Sequence, residues 1–285
     1  MKRKRAYLLA AALLTLTPAG CKRTGTQPPP SGAVRLVSTA PNLTEIVFAI
    51  GAGNLLVGRT DVCDYPPDAA HVPITGAFAK PWIEPLLAAH PTHVLESALA
   101  DTSAKNHLDA LGIPLVHVAC SSLDDIPNAI LQLGGLTGHA TQAQALAAHI
   151  RAGLAEGSAS RPHPRPRVLL LFAPEPLITA GGGTFISEML TLAGGDNVAA
   201  GVSKSEYFQV ADEWLMRCDP DIILCLFDTQ GRDPVSLFAS RTGWQSLNAM
   251  RERRVKTVAG LDTVLRPGPR VLEGLAQLEK VIGDK

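Results

Sequence analysis

The sequence predicts two α/β lobes, each built on a doubly wound and mainly parallel sheet, joined by a single long helix. Short β-branched and apolar runs alternate with amphipathic segments along the chain, which is the pattern of βαβ units. This alternation is interrupted at the Pro-, Gly- and Ser-rich stretch 157–166 and then resumes. Residues 139–156, directly before the interruption, contain no proline and one glycine, so they predict a connecting helix of about 27 Å.

The first lobe is predicted from residues 35–138. Asn42 and Glu45 have the spacing of a capping box and predict the start of a helix, and Gly51 predicts its end. The other elements follow in alternation: strands at 35–38, 55–58, 93–96 and 114–119, and helices at 43–50, 82–90 and 103–111.

The second lobe is predicted from residues 161–285, after an interlobe helix placed at 139–160. Its elements are strands at 168–172, 207–210 and 221–227 and helices at 184–192 and 271–282. Ligands of open α/β sheets bind beyond the carboxyl ends of the strands, so two facing lobes predict a cleft between them. A single stiff connecting helix would resist a large hinge closure of that cleft.

The N-terminal segment predicts export. A basic run at residues 2–5 precedes an apolar run of eleven residues, which is shorter than the roughly 20 that a spanning helix needs. Residues 17–21 (TPAGC) resemble a bacterial lipobox, although a proline stands where an aliphatic residue is usual. We therefore predict a signal peptide at 1–20 and lipidation of Cys21. An ordinary secretory signal cut nearby is the alternative.

Residues 21–34 predict a Pro-rich tether between this cysteine and the lobes. Removal of the signal peptide leaves 22 basic and 26 acidic side chains, a net charge of −4. The mature chain therefore lacks the basic excess through which proteins hold the phosphates of nucleic acid. These features predict an exported domain held at a membrane by its lipid, with no nucleic-acid partner.

No pattern in the sequence predicts catalysis, so the protein is not expected to be an enzyme. A G-x-S-x-G elbow, a P-loop and a G-x-G-x-x-G after the first strand are all missing. The eight histidines are dispersed, and His90 and His93 do not have the i, i+4 spacing of a helical metal pair, so neither a metal site nor an intrinsic cofactor is expected. The glycines at 181–183 either offer amides to a ligand or form a plain strand-to-helix turn, and the turn is favoured.

The cysteines leave alternatives open. Cys63 and Cys120 follow strands of the first lobe, so they could face the cleft, pair with each other, or lie in the core as free thiols, which is favoured. Cys225 stands in an apolar strand and is expected to be a small buried hydrophobe.

Several stretches resemble the iron-siderophore, haem and vitamin B12 class of periplasmic substrate-binding proteins, the receptors of type II ABC importers. They are 37–45 (VSTAPNLTE), 58–67 (GRTDVCDYPP), 71–76 (HVPITG), 192–198 (LAGGDNV) and 266–270 (RPGPR). The resemblance covers about residues 35–282. It implies the class III periplasmic-binding-protein fold and a monomer that gives a small-molecule ligand to a permease dimer. It also implies location in the periplasm or on the outer face of the cytoplasmic membrane.

Within that class the chain is most similar to vitamin B12 (cobalamin)-binding proteins, which implies a corrinoid as the ligand. By position, Phe78 and Tyr207 match aromatic residues that pack on the corrin ring from opposite lobes. Asp262 and Arg266 match residues that hydrogen-bond the ligand. The full set of ligand-binding residues implied by the resemblance is Phe78, Tyr207, Asp262, Arg266, Tyr65 and Phe172. The alternatives are that Phe78 packs between the lobes and that Asp262 and Arg266 form a local surface pair.

The sequence also departs from the vitamin B12-binding proteins. Val62, Ser97 and Ile178 stand where further aromatic residues are expected, and Ala193 replaces one cysteine of a disulfide. A cleft with fewer aromatic side chains still binds a large ring through apolar contact, and the departures leave both a corrin and another macrocycle open as that ring.

The alternative cargo is haem or a ferric siderophore. Tyr65 and Tyr207 are the tyrosines that could serve as axial ligands of a haem. Siderophore clefts often contain several arginines, and Arg59 and Arg266 are the obvious candidates in this sequence.

Two acidic residues are predicted to have a different role. Glu84 stands in the first turn of the predicted helix 82–90, and Glu213 follows the predicted strand 207–210. They match the paired glutamates, one on each lobe, that engage permease arginines in this class, and exposed carboxylates can form such charge-assisted bonds. The alternative is that each carboxylate only complements the positive end of a helix.

Overall fold

The computed structural model describes residues 33–98, 102–157 and 164–284. The predicted signal peptide and Cys21 lie outside these ranges. From Val34 onward the chain forms one compact unit, so its two sheets can be described together.

The first lobe is built on a six-stranded sheet. Its strands are β1 (Leu36–Ser38), β2 (Leu56–Thr60), β3 (Ile74–Ala77), β4 (Lys80–Pro81), β5 (His93–Glu96) and β6 (Leu115–His117). Its helices are α1 (Pro41–Ala49), α2 (Ile83–Ala88), α3 (Thr102–Ala110) and α4 (Asp125–Thr137). The strand order is β4-β3-β2-β1-β5-β6, with every neighbouring pair parallel except β3 and β4. The chain therefore crosses over at β1, where doubly wound sheets place their ligands.

The second lobe is built on another six-stranded sheet, and it is mixed. Its strands are β7 (Arg167–Pro174), β8 (Leu177–Ala180), β9 (Asp196–Asn197), β10 (Tyr207–Gln209), β11 (Ile222–Cys225) and β12 (Val255–Thr257). The order is β10-β8-β7-β11-β12, with β9 paired to β7. Strands β8 and β10 are antiparallel to their neighbours, which the expectation of a mainly parallel sheet did not include.

The second lobe contains six α-helices among its described residues, most of them between its strands. They are α6 (Phe185–Leu192), α7 (Asp212–Cys218), α8 (Pro234–Phe238), α9 (Asn248–Arg251), α10 (Leu261–Leu265) and α11 (Val271–Gly283). The predicted helix 184–192 is observed one residue shorter, because Thr184 is its N-cap and its hydroxyl accepts a hydrogen bond from the amide of Ser187 at 3.3 Å.

One long helix, α5 (Ala140–Gly157), connects the lobes. Its buried residues Ala143 and Ile150 belong to a hydrophobic core that continues from Leu133 in α4 to Leu275 in α11. A continuous core resists separation of the lobes, since opening them would expose apolar surface at about 25 cal/mol per Å². None of the helices in the described ranges is long and apolar enough to cross a membrane.

The predicted capping box at the start of α1 is wrong. The helix begins at Pro41, one residue before the predicted cap, and no side chain caps it. Proline is favoured at this position because its fixed φ suits the first helical turn and its missing N–H would be unpaired there anyway. The carboxylate of Glu45 is therefore not used at the helix N-terminus, and it makes contacts with the second lobe instead.

The close packing of α4 on α5 generates a stability prediction. A Cβ at the buried Gly134 would stand 2.2 Å from the Cβ of Ala143, so Gly134→Ala forces the helices apart. We expect a loss of about 1–3 kcal/mol in the free energy of unfolding, measured by denaturant titration.

The neighbouring glycine is the matched control. A Cβ at the exposed Gly135, in the same helix, would meet nothing within 4 Å. Gly135→Ala should therefore be neutral or stabilise the fold by up to about 1 kcal/mol through helix propensity. Equal losses in both variants would contradict the packing argument.

Candidate ligand-binding cleft

A cavity of about 430 Å³ lies between the two lobes. The first lobe lines it with the start of α1 and with the loops that follow β3, β5 and β6. The second lobe lines it with the start of α6, with β10 and with the end of α10. The lining residues are Pro41, Asn42, Phe78, Ser97, Ala98, Cys120, Ser121, Thr184, Phe185, Glu206, Tyr207, Leu265, Arg266 and Pro267. The cavity is thus formed where the carboxyl ends of the first lobe's strands face the second lobe.

Two aromatic side chains stand exposed in this cleft. Phe78, from the loop after β3, is 55% exposed, and Tyr207, on the edge strand β10 of the other lobe, is 50% exposed. The ring of Tyr207 rests edge-on against Phe172, with centroids 5.2 Å apart and planes at 86°. Because more than half of its surface is exposed, Phe78 does not pack between the lobes. Large apolar side chains left open in a concave surface are typical of a ligand site.

The surroundings of Tyr207 shift the pKa of its phenol upward. Burial of the ring raises the pKa of Tyr207, and the neighbouring carboxylate of Glu206 raises that pKa further. Glu206 itself lines the cleft, and it was not singled out in the sequence because a lone glutamate beside an aromatic residue carries no recognisable pattern.

Arg266 lines the cleft but is already paired. Its Nη1 donates to Asp64 Oδ1 at 2.6 Å and to Glu45 Oε1 at 3.1 Å, and its Nη2 lies 2.9 Å from Asp262 Oδ1. The predicted pair of Asp262 and Arg266 therefore exists, but it is not merely local, because the same guanidinium reaches two acids of the first lobe. Asp262 belongs to the site only through Arg266.

Arg270 completes this group of charges. Its Nε donates to Glu45 Oε2 at 2.9 Å and its Nη2 to Glu45 Oε1 at 2.7 Å. Its guanidinium also lies 3.9 Å from the ring centroid of Tyr65, a cation–π contact. We name the five residues Glu45, Asp64, Asp262, Arg266 and Arg270 the interlobe ion cluster, since Glu45 and Asp64 come from the first lobe and the others from the second.

The cluster shifts the pKa of Arg266, Arg270 and Asp64 in the direction that favours their charged forms. Burial lowers the pKa of Arg266, but hydrogen bonds to Asp64 and Glu45 outweigh burial, and the net shift is upward. The hydrogen bond to Glu45 is the main cause that raises the pKa of Arg270. The hydrogen bond from Arg266 is the main cause that lowers the pKa of Asp64. Charge-assisted bonds of this kind favour the ionised state of both partners.

Tyr65 lies apart from the cleft. It lines a separate cavity of about 340 Å³, on the other side of the cluster, together with Phe48, Leu146 and Arg270. The structure therefore brings Phe78, Tyr207 and Arg266 onto one cavity, with Phe172 and Asp262 directly behind them, and leaves Tyr65 outside it.

Arg59, considered in the sequence as a second arginine for an anionic cargo, does not line the cleft. It is buried in the first lobe, where its guanidinium donates to the carbonyl oxygens of Val72 at 3.0 Å, Thr60 at 2.9 Å and Ala70 at 3.4 Å. These bonds hold the turn before β3 and leave Arg59 unavailable to a ligand.

All four cysteines in the described ranges are free thiols. Cys63 is buried between the hydroxyls of Thr44 and Thr60, at 3.1 and 3.0 Å from its sulfur. Cys120 lines the cleft, and burial, assisted by Asp125, raises its pKa to about 12, so it stays protonated. Burial likewise raises the pKa of Cys225 to about 12, which agrees with the expected buried hydrophobe.

The glycine-rich stretch before α6 forms the plain turn that the sequence favours. The amide of Gly181 donates to the carbonyl of Glu206 at 2.7 Å, and that of Gly182 to the carbonyl of Ala200 at 3.1 Å. Both amides therefore donate to carbonyls of the same lobe and are not available to a ligand. Of the three departures from the aromatic pattern, only Ser97 lines the cleft.

Glu84 and Glu213 stand on different lobes, each exposed in the first turn of a short helix, α2 and α7. Arg35 holds the far end of α2 by donating to the carbonyls of Ala89 and His90 at 2.6 and 2.8 Å. Asp212 fixes the start of α7, since it accepts a hydrogen bond from Trp244 Nε1 at 2.7 Å. Among the described residues, neither glutamate has an ion-pair partner.

Two facing α/β lobes, a single connecting helix and an aromatic cleft define a solute-binding protein. The periplasmic binding protein family matches residues 36–260, and the chain belongs to that family. The class of protein inferred from the sequence is thereby confirmed. Members of the family are binding proteins and not enzymes, in agreement with the sequence.

Individual relatives are moderately similar to this chain. A vitamin B12-binding protein of Pectobacterium carotovorum subsp. carotovorum (strain PC1) is 28% identical over 255 residues, which are 86% of each chain. YvrC, an uncharacterized ABC transporter substrate-binding lipoprotein of Bacillus subtilis (strain 168), is 28% identical over 257 residues, 87% of this chain and 79% of YvrC. The solved periplasmic heme-binding protein RhuT from Roseiflexus sp. RS-1, in apo form, has a TM-score of 0.77 and 29% identity, covering 88% of this chain and 98% of RhuT.

Proposed function

We propose that the protein captures cobalamin or a related corrinoid in the interlobe cleft and delivers it to the permease of an ABC importer. The observation that carries this proposal is the pair of exposed aromatic rings, Phe78 and Tyr207, that face one apolar cleft from opposite lobes. Flat rings on two sides suit a macrocycle held between them, because stacking and apolar burial both favour that arrangement.

The size of the cleft fits this mode of binding. Cavities of about 300–1,000 Å³ enclose most of a drug-sized ligand. At about 430 Å³ this cleft holds part of a larger macrocycle, so the ring lies inside and its side groups reach the rim.

The charge of the cleft favours an amide-fringed ring over a carboxylate-bearing one. The charged side chains among the described lining residues are Glu206 and Arg266, and Arg266 already pairs with three acids. A haem, with two propionates, would bury carboxylates next to Glu206 without an unpaired cation, and an unpaired buried charge is costly. The periphery of a corrin carries amides, which bind to such a surface without that cost.

Haem is the second candidate, on the strength of Tyr207. Tyrosine is one of the residues that hold haem iron, and a haem-binding protein is among the similar solved structures. The ring of Tyr207 rests edge-on against Phe172, with centroids 5.2 Å apart, which holds it as a wall of the cleft and supports stacking. Among the described lining residues Arg266 is the only arginine, and it is already paired, which disfavours an anionic ferric siderophore.

We further propose that Glu84 and Glu213 dock the protein on its permease. They are exposed, they lie on different lobes, and the helices that carry them are fixed by Arg35 and Asp212. Two carboxylates at a fixed separation can bind two arginines and so set the orientation of docking.

We also propose that the protein is exported and is a monomer tethered to a membrane by its lipid. A relative of similar length is a lipoprotein, which agrees with lipidation of Cys21 after removal of residues 1–20. We propose a tether at 21–34 and lobes at 35–138 and 161–285, with the helical connection at 139–160. The protein is then located in the periplasm or on the outer face of the cytoplasmic membrane.

The ligand proposal predicts a clear order of affinities. Absorbance titration of the purified mature chain should show cyanocobalamin binding at or below roughly ten micromolar, and haemin binding at least about tenfold more weakly. Glu206→Gln removes the unpaired negative charge, so it should strengthen haemin binding and leave cyanocobalamin binding unchanged. Failure of cyanocobalamin to bind at tens of micromolar would refute the corrinoid assignment.

The aromatic wall predicts a difference between two variants of Tyr207. Tyr207→Ala should weaken cyanocobalamin binding by about 1–3 kcal/mol, measured by calorimetry, because the stacked ring is lost. Tyr207→Phe keeps the ring and should bind as the unchanged protein does. A loss in Tyr207→Phe as large as that in Tyr207→Ala would show that the hydroxyl, and not the ring, holds the ligand.

The docking proposal predicts that transport and binding separate. Glu84→Ala combined with Glu213→Ala should abolish ligand uptake by vesicles that contain the permease, while the dissociation constant of the ligand stays within about twofold. Glu252→Ala, which removes an exposed acid elsewhere on the second lobe, is the control and should transport normally. Uptake that survives in the double variant would exclude these two glutamates as the docking contacts.

A further inference from the structure

The interlobe ion cluster has one buried member. Glu45, on α1, is 2% exposed, whereas the side chains of Asp64 and Asp262 are more than half exposed. All three side-chain hydrogen bonds of Glu45 cross from the second lobe to the first, two from Arg270 and one from Arg266. Glu45 is therefore the buried acid through which both arginines of the second lobe are held to the first, while the exposed Asp64 adds a second link to Arg266.

The two arginines depend on Glu45 to stay where they are. Both donate to the same oxygen, Oε1, so their positive charges are held only a few ångströms apart. Asp64 and Asp262 pair with Arg266 alone, and Glu45 is the acid that neutralises Arg270. Loss of the Glu45 charge would leave Arg270 without an acid partner, next to a second cation, Arg266, in a partly buried seam.

Of the interlobe ion cluster, Arg266 alone lines the cleft. Arg266 and Pro267 line the cavity, and the side chain of Asn42 donates to the carbonyl of Pro267 at 3.3 Å, one turn before Glu45 on α1. Glu45 does not line this cavity; it lines the separate cavity that contains Tyr65. Any effect of Glu45 on a ligand must therefore pass through Arg266 and Arg270.

We propose that Glu45 is a positioning residue that sets the width of the cleft and the orientation of Arg266, by holding Arg266 and Arg270 of the second lobe against α1 of the first. The part that concerns affinity depends on the proposed ligand function. The part that concerns lobe separation does not.

The expected effect on affinity depends on the fraction of molecules whose cleft has the width that binds the ligand. If removal of the Glu45 charge leaves only about a tenth of the molecules with the correct cleft width, the apparent dissociation constant rises about tenfold. Glu45→Gln is the variant of choice, because it keeps the size of the side chain and removes its charge.

The experiment measures lobe separation and affinity on the same proteins. Spin labels at Asp68→Cys on the first lobe and Glu252→Cys on the second, both exposed positions, report the interlobe distance distribution by pulsed dipolar spectroscopy. The labels are placed in a Cys218→Ser background, because Cys218 is the partly exposed thiol among the described cysteines. Cyanocobalamin affinity is measured by absorbance titration. Asp109→Asn, which breaks the exposed pair with Lys105 inside one lobe, is the control.

Glu45→Gln should broaden or lengthen the distance distribution and weaken cyanocobalamin binding about tenfold, whereas Asp109→Asn should change neither. An unchanged distribution with affinity within twofold of the unchanged protein would overturn the proposal, even if the melting temperature falls. If the unchanged protein binds no cyanocobalamin, the ligand proposal fails, and the distance distribution alone decides the role of Glu45.

A second variant covers the case in which Glu45→Gln does not fold. Arg270→Gln removes two of the three bonds to Glu45 but leaves the pair of Glu45 and Arg266. It should shift the distribution in the same direction, by a smaller amount. A distribution identical to that of the unchanged protein would again overturn the proposal.

Discussion

The pairing of one buried carboxylate with two arginines is the interaction on which the rest of this structure depends. A charge as buried as that of Glu45 is tolerated only with partners in good geometry, and Arg266 and Arg270 supply them from the opposite lobe. The helix α5 limits lobe separation from one side through apolar packing, and the interlobe ion cluster limits it from another through charge. The cleft adjoins the cluster at Arg266, and the Tyr65 cavity lies between the cluster and Leu146 of α5.

The chemistry of the cleft depends on which charged groups near it are already bonded within the protein. Arg266 forms ion pairs with acids of both lobes, and Arg59 donates hydrogen bonds to carbonyls of its own lobe. The two arginines that the sequence suggested as contacts for an anionic ligand are therefore used to hold the fold together. The groups left for a ligand are the two exposed rings, Phe78 and Tyr207, the carboxylate of Glu206, and small polar residues. A surface of this kind recognises a molecule by its shape and its apolar faces more than by its charge.

Local patterns predicted much of the fold. The strand at 93–96 is observed with the same bounds, and α11 ends one residue past its predicted end. The connecting helix α5 starts one residue after the predicted 139 and ends at Gly157, one residue past the helical stretch 139–156 and three before the interlobe boundary placed at 160. These elements were predictable because apolar periodicity and helix propensity act over short distances. Strand β10 was predicted at 207–210, but β8 was not predicted. The antiparallel direction of both strands has no local signal, because it is set by their pairing with neighbouring strands. Glu45 was misassigned to a helix cap, because its true partners lie 221 and 225 residues away and nothing local indicates them. The resemblance located Phe78, Tyr207 and Arg266 on one cavity but could not show that Arg266 was already paired.

The unpaired thiols have a consequence for what holds the fold together. The four described cysteines are all reduced, and three of them are buried. Within the described ranges, no disulfide bond contributes to the stability of the fold. Packing and charge alone therefore hold this part of the chain together, in a reducing cytosol as in an oxidising compartment.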